Sequence, residues 1–214
     1  VATRHNVAQL DDYKKMADEY GAQLRVTRLR PSGRGVDSYQ DLRLTHPQQQ
    51  DIFRWIIDHP DVLTGDSFFH LNALGTNTGE TLPGLSMCGA GRIVCLIDPI
   101  GDVYACPFVI HDEFMAGNVR DAGGFASVWR ESELFAELRQ PGAAGACASC
   151  NAYDACGGGC MAAKFFTGIP LDGPDPDCVL GHADEAVAAA NAAGIVPQPS
   201  QDHSRPVRIG ARPS

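Results

Sequence analysis

The spacing of the cysteines constrains this chain more than any other feature of its 214 residues. All eight cysteines lie between residues 88 and 178, and seven of them follow a regular order. That order is Cys88-x12-Gly101-x4-Cys106, then Cys147-x2-Cys150-x5-Cys156-x3-Cys160, and then Cys178, while Cys95 is the eighth cysteine. Because four thiolates hold one [4Fe–4S] cluster, eight cysteines suffice for two clusters. We therefore expect a cysteine-rich, metal-binding C-terminal region.

Two other uses of these cysteines stay open at the level of sequence. Disulfides are disfavoured because the chain is too long to need stapling, the cysteines are bunched at short spacings and no secretory signal is present. Structural zinc sites share the Cys-x2-Cys spacing, so the group Cys147 to Cys160 alone is compatible with a redox-inert zinc module. Gly157-Gly158-Gly159 within that group permits the positive φ angles that a backbone bent around a metal requires.

Composition excludes several classes of partner. The net charge of −9 argues against nucleic acid and against an anionic membrane surface. No apolar run approaches the roughly 20 residues of a membrane helix, so we expect a cytoplasmic protein. The chain begins with Val1 rather than Met, which we interpret as the sign of a piece of a longer protein.

The cysteine-free residues 1–87 alternate strand and helix signals. Strands are predicted at residues 1–4, 24–29 and 67–74. One helix is predicted after an Asn6/Gln9 capping box and ends at Gly21, and another runs from a Thr45/Gln48 capping box to about residue 59. Alternation with short connections predicts parallel strands with helices outside them.

The composition changes to Gly, Thr, Asn and Pro near residues 75–87, where we place a domain boundary. Beyond it we predict a hairpin from residues 92–97 and 102–106, with Asp98 and Asp102 as turn residues. An amphipathic helix is predicted over residues 125–139 and an Ala-rich helix over 183–193. The tail from residue 197 is expected to be disordered.

The cysteine register resembles the SPASM domain, the C-terminal extension of radical S-adenosylmethionine (SAM) enzymes that modify peptides. That resemblance implies an α/β fold in which residues 1–87 form the C-terminal part of a partial (β/α)6 barrel. Residues 88–182 would form the SPASM domain, with a β-hairpin and short helices, and residues 183–214 a helix and a disordered tail. The family signature assigns a first auxiliary cluster to Cys88, Cys106 and Cys160, and a second to Cys147, Cys150, Cys156 and Cys178. Cys95 lies outside the signature, and we predict it as the fourth ligand of the first cluster, with a small buried strand residue as the alternative.

A narrower resemblance, to a branch of that family that matures a small precursor peptide, rests on four segments. These are residues 63–71 (LTGDSFFHL), 87–92 (MCGAGR), 106–108 (CPF) and 159–168 (GCMAAKFFTG). It implies oxidative decarboxylation of the precursor's C-terminal Tyr, carbon–carbon bond formation to the preceding Val, and a small peptide-binding partner protein. The family also implies an electron donor. Pro107 stands where sulfatase-maturing relatives carry an Asp base, which disfavours that branch. The alternatives are another SPASM enzyme that crosslinks peptides, or the zinc module.

The SAM-cleaving Cys-x3-Cys-x2-Cys motif of the family is absent from these residues. SAM and a third [4Fe–4S] cluster are therefore expected in the full-length enzyme, and the present chain is expected to be inactive alone. Arg28 and Arg30 lie at the end of a predicted strand, where barrel active sites form, so they are candidates for a carboxylate of SAM or of the peptide. The alternative is a solvated basic loop. The histidines, among them His182, have no metal-like spacing and are predicted to be structural or surface residues.

Overall fold

The computed structural model describes residues 1–35, 37–64 and 88–194. It is a mixed α/β structure of short elements. The helices are α1 (Leu10–Glu19), α2 (Tyr39–Leu42), α3 (His46–Asp58), α4 (Gly124–Glu131), α5 (Glu133–Arg139), α6 (Tyr153–Cys156), α7 (Met161–Phe166) and α8 (Asp184–Ala192). The strands are β1 (Leu96–Ile97), β2 (Asp102–Tyr104) and β3 (Met115–Asn118).

The chain divides into two compact units. The first is built from the described parts of Val1–Cys88 and Pro141–Gln198, and the second from Gly89–Gln140. The described residues before position 65 thus pack in the same unit as the cysteine group at residues 147–160. The domain limits at residues 87 and 182 stay a prediction, because the units reflect packing density and not family boundaries.

Three extended segments of the first unit lie side by side and run parallel. Single bridges join Ala2 to Arg28 and Arg25 to Leu63. The parallel direction agrees with the predicted strand–helix alternation. The segment around Leu63 is the third of these parallel segments, whereas the predicted strand at residues 67–74 lies outside the described residues. The partial barrel therefore stays a prediction.

One of the two predicted capping boxes is present. Thr45 accepts a hydrogen bond from the Gln48 amide, and the Gln48 side chain accepts one from the Thr45 backbone N–H, so α3 begins where the sequence indicates. Ile52 and Ile56 bury the inner face of this helix. The Asn6 box is wrong: the Asn6 side chain accepts from the Thr3 backbone N–H at 2.8 Å, and a 3-10 turn precedes α1.

The second unit contains an antiparallel sheet in the order β1-β2-β3. β1 and β2 form the predicted hairpin in a shorter version, and Asp98 accepts hydrogen bonds from the Ile100 and Asp102 amides as a turn residue. β3 was not predicted. The single helix predicted over residues 125–139 is wrong, because the chain breaks at Ser132, whose side chain caps α5 by accepting from the Phe135 amide.

The C-terminal part of the first unit consists of turns and short helices around the cysteine group. α8 (Asp184–Ala192) confirms the Ala-rich helix predicted over residues 183–193. The predicted boundary at residues 75–87 and the tail from residue 197 lie outside the described residues.

Candidate metal centre

Four of the predicted ligands share one pocket in the first unit. Cys147, Cys150, Cys156 and Cys178 line it together with Tyr153, Gly158, Pro174, Asp175, Leu180 and His182. All eight cysteines of the chain are free thiols, so no disulfide competes for them. Among the described residues, no three His, Cys, Asp or Glu side chains are placed to hold a single metal ion. The four thiols are therefore known to line one cavity, and the metal that they hold stays a prediction.

The local sequence explains how the chain bends around this pocket. Cys147 ends a 3-10 turn, Cys156 ends α6, and Cys160 precedes α7. The three glycines between Cys156 and Cys160 have φ angles of 56°, 75° and 84°. Left-handed angles in three consecutive residues are accessible to glycine at little cost, so this prediction from the sequence is confirmed.

Asp175 fastens the ligand loop from inside. Its Oδ2 accepts a hydrogen bond from the Cys160 backbone N–H at 2.7 Å and one from Arg28 Nη1 at 2.8 Å. Its Oδ1 accepts from the Asp177 backbone N–H at 2.9 Å. The Asp175 side chain is 1% exposed and the Arg28 side chain 3% exposed. One buried carboxylate thus connects a strand segment, a predicted ligand and the loop that carries Cys178.

Asp177 extends this arrangement into a buried network of four charges and a phenol. Its carboxylate lies 3.0 Å from Arg28 Nη2 and 3.3 Å from Arg43 Nη2, and it accepts a hydrogen bond from the Tyr39 hydroxyl at 2.9 Å. Burial alone would lower the pKa of Arg28, but the carboxylates outweigh burial and raise that pKa well above its ordinary value. Two arginines and two aspartates balance in charge, which is the condition under which buried ions are tolerated.

Arg28 and Arg30 were candidates for contacts to SAM or peptide. Arg28 is buried in ion pairs with Asp175 and Asp177, and Arg30 is half-buried. The assignment to an external carboxylate stays a prediction. The first cluster also remains a prediction, because Cys88 and Cys160 lie in the first unit whereas Cys95 and Cys106 lie in the second.

Burial favours the protonated form of several of these thiols by raising their pKa values. Burial raises the pKa of Cys156 and of Cys178 to about 11. The pKa of Cys160 is also raised to about 11, first by burial and then by the charge of Cys88. Burial likewise raises the pKa values of Cys147 and Cys95. Since thiolates are the ligand form, metal binding at this site must release protons.

Several residues of the site were missed from the sequence. His182, predicted to be an ordinary structural or surface residue, lies on the wall of the cysteine pocket. Asp175, Asp177 and Lys164 were not singled out at all. The run Pro174-Asp175-Pro176-Asp177 directly before Cys178 offered a signal, because two acidic residues beside a ligand require buried cations. The sequence gave no signal that Arg28 or Tyr39 would be their partners.

Comparison with known families defines the class of domain first. Residues 88–151 match the model of the SPASM family, described as an iron–sulfur cluster-binding domain. The predicted resemblance of this part of the chain to a SPASM domain is thereby confirmed.

The particular relatives are mycofactocin maturases, the branch indicated by the four sequence segments at residues 63–71, 87–92, 106–108 and 159–168. The chain is 60% identical over 210 residues to mycofactocin maturase MftC of Mycobacterium tuberculosis. It is 59% identical over 211 residues to mycofactocin maturase MftC of Mycolicibacterium smegmatis. Each match covers 98% of this chain, and the chain spans about half the length of these curated relatives, 52% and 53% respectively.

Solved structures of lower similarity support the fold. Native anSMEcpe with bound AdoMet matches with a TM-score of 0.51 at 16% identity, over 89% of this chain and 55% of that one. The polyhistidine-tagged form, also with bound AdoMet, matches with a TM-score of 0.52 at 15% identity, over 89% of this chain and 53% of that one.

In the part of the chain that the structure describes, no helix has the length and apolar character needed to cross a membrane.

Proposed function

We propose that this chain holds two [4Fe–4S] clusters as the auxiliary-cluster part of an enzyme that matures the mycofactocin precursor peptide. The second cluster would be held by Cys147, Cys150, Cys156 and Cys178, and the first by Cys88, Cys95, Cys106 and Cys160. The pocket lined by the four cysteines of the second cluster carries this proposal, together with the SPASM match. When bound, such clusters supply one-electron transfer.

The residues of the chain contribute binding and orientation to that role. The glycine run lets the backbone pass close to the pocket, and Asp175 holds the Cys160 backbone in place. The backbone N–H groups of Leu180 and His182 lower the pKa of Cys178, and that of Gly158 lowers the pKa of Cys156. These groups favour the thiolate form and partly offset the effect of burial.

The reaction we propose for the whole protein is the one implied by the branch. Cleavage of SAM at a third cluster would start oxidative decarboxylation of a C-terminal Tyr, followed by carbon–carbon bond formation with the adjacent Val. The precursor peptide, a small peptide-binding partner protein and an electron donor would take part, in the cytoplasm. The 60% identity to mycofactocin maturases supports this branch over another peptide-crosslinking SPASM enzyme. The 214 residues contain no Cys-x3-Cys-x2-Cys, so we expect this chain alone not to cleave SAM.

Metal analysis tests the cluster proposal directly. Anaerobic reconstitution should give about eight iron and eight sulfide per chain. Cys150→Ala should remove one cluster and loosen its loop, because metal binding and folding are coupled. Cys95→Ala should leave the second cluster intact and give the first an open iron site, visible by spectroscopy. Stoichiometric zinc without visible charge-transfer absorbance would show instead that the site is a structural zinc module.

The reaction proposal has a separate test. The full-length protein, given reductant, SAM, the partner protein and a precursor ending in Val-Tyr, should release CO2, and this chain under the same conditions should not. A full-length protein that crosslinks other peptides without decarboxylating Val-Tyr would contradict the assignment to this branch. It would leave the cluster proposal unaffected.

A further inference from the structure

Lys164 is a buried cation beside the cysteine pocket. Its relative exposure is 3%, although lysine is rarely buried. It lies in α7, between Ala163 and Phe165, and its Nζ donates to the carbonyl oxygens of Leu171 at 2.6 Å and Gly173 at 3.0 Å. These neutral acceptors satisfy hydrogen bonds without neutralising the charge.

The ammonium lies against the loop that carries the ligands. A Cβ atom placed on Gly158 would be 3.0 Å from Lys164 Nζ, and Gly158 itself lines the cysteine pocket. Burial lowers the pKa of Lys164 overall, and the negative groups Asp175, Cys147, Cys88 and Cys160 offset part of that effect. The field of this charge therefore reaches predicted ligands of both clusters within the first unit.

Lys164 differs from Arg28 and Arg43 in how its charge is compensated. Arg28 and Arg43 are matched by the carboxylates of Asp175 and Asp177. Within the described residues, no carboxylate lies within salt-bridge distance of Lys164. Because no carboxylate neutralises the Lys164 ammonium at close range, negative charge added in the neighbouring cysteine pocket interacts favourably with it.

We propose that the positive charge of Lys164 raises the reduction potential of the iron–sulfur clusters held by the surrounding cysteines. This inference rests on the proposed function. One-electron reduction adds a negative charge to a centre already made negative by its four thiolates. A nearby buried cation stabilises the reduced form more than the oxidised form, and net charge is among the factors that set cluster potentials. Removal of the cation therefore lowers the potential.

The test uses the whole 214-residue chain, reconstituted anaerobically, with Lys164→Met and Lys164→Gln as variants. Lys14→Met is the matched control, because it removes a lysine charge in the same unit that is already compensated by Asp18 at 2.6 Å and Asp61 at 2.9 Å. Iron and sulfide content is measured first, and redox titrations followed by electron paramagnetic resonance then give the midpoint potentials. Both Lys164 variants should keep their iron and shift at least one cluster toward the oxidised form by about tenfold, or about 59 mV for a one-electron couple. Lys14→Met should leave both potentials unchanged.

The inference would be overturned if, in both Lys164 variants, the midpoint potentials corresponded to less than a twofold change in the ratio of oxidised to reduced cluster relative to wild type. Loss of iron from both variants would also overturn it, since it would assign Lys164 to holding the Leu171 and Gly173 carbonyls. A wild-type chain that binds zinc in place of iron would contradict the proposed function itself, and the iron measurement separates that outcome from the others.

Discussion

Gly159→Ala should destabilise the chain far more than a glycine substitution ordinarily does. Gly159 has a φ angle of 84°, in the left-handed region. A Cβ atom at this position would lie 2.4 Å from both Cβ and Oδ2 of Asp175, closer than real contacts allow. Asp175 cannot move away freely, because its carboxylate is held by Arg28 at 2.8 Å and by the Cys160 amide at 2.7 Å.

Two costs add in this variant. A non-glycine residue in the left-handed region costs about 1–2 kcal/mol. Displacing Asp175 separates a buried ion pair, which typically costs about 3–5 kcal/mol. The sum is on the order of 4–7 kcal/mol, comparable with the whole stability of a small domain, which is about 5–15 kcal/mol. Relaxation of the loop makes the lower end the better expectation.

Gly145→Ala separates the steric term from the conformational one. Gly145 also has a positive φ angle, 54°, lies near the same cysteines, and has nothing within 4 Å of where a Cβ atom would be added. It should therefore lose only the conformational cost of about 1–2 kcal/mol. Urea unfolding of both metal-free variants, followed by circular dichroism under anaerobic reducing conditions, measures the difference. Equal losses, within about 0.5 kcal/mol, would refute the argument that Asp175 fastens this loop.

Two further predictions concern the same unit. Tyr39→Phe removes the hydroxyl that donates to the buried Asp177 carboxylate, and should cost about 2 kcal/mol of unfolding free energy. Tyr13→Phe, at an exposed hydroxyl, should cost less than about 0.5 kcal/mol, and equal losses would contradict the network. The metal-free chain should lose stability as pH rises from about 9 to about 11, because the folded pKa values of Cys156 and Cys178 are raised to about 11. The neutral thiols stabilise the fold below the unfolded pKa, and each is worth up to about 2.7 kcal/mol. Denaturation at about pH 8 and about pH 10.5 checks the sign, and Cys178→Ala should show a smaller loss over that range.

The parts of the site that sequence predicts are local ones. The Cys147-x2-Cys150-x5-Cys156-x3 spacing and the glycine run decide where the backbone turns, because positive φ angles and ligand reach depend on a few adjacent residues. The Thr45 cap follows the same logic. The capping box predicted at Asn6 and Gln9 does not form, because the Asn6 side chain instead hydrogen-bonds to Thr3 and to the Val1 carbonyl oxygen. Local chemistry offered two alternatives there, and the amphipathic pattern did not choose between them.

The break at Ser132 shows how such a choice can be hidden by periodicity. Apolar residues recur at helical spacing on both sides of it, so residues 125–139 predict one helix. In the structure Ser132 has an extended conformation and caps the second helix through Phe135. Serine competes with the helical backbone for hydrogen bonds, and a capped restart turns Phe135 into the core, where it is fully buried.

The ties that hold the pocket in place are long-range, and no spacing rule reaches them. Arg28 and Asp175 are 147 residues apart in sequence, and Tyr39 and Asp177 are 138 apart. The sequence predicted a carboxylate of SAM or peptide, or a solvated loop, for Arg28, and neither alternative included a buried pair with Asp175. For Arg28 to serve SAM or peptide it would have to leave a buried pair at a cost of about 3–5 kcal/mol. The pair instead ties the Cys160 backbone, through Asp175, to the strand segment that carries Arg28.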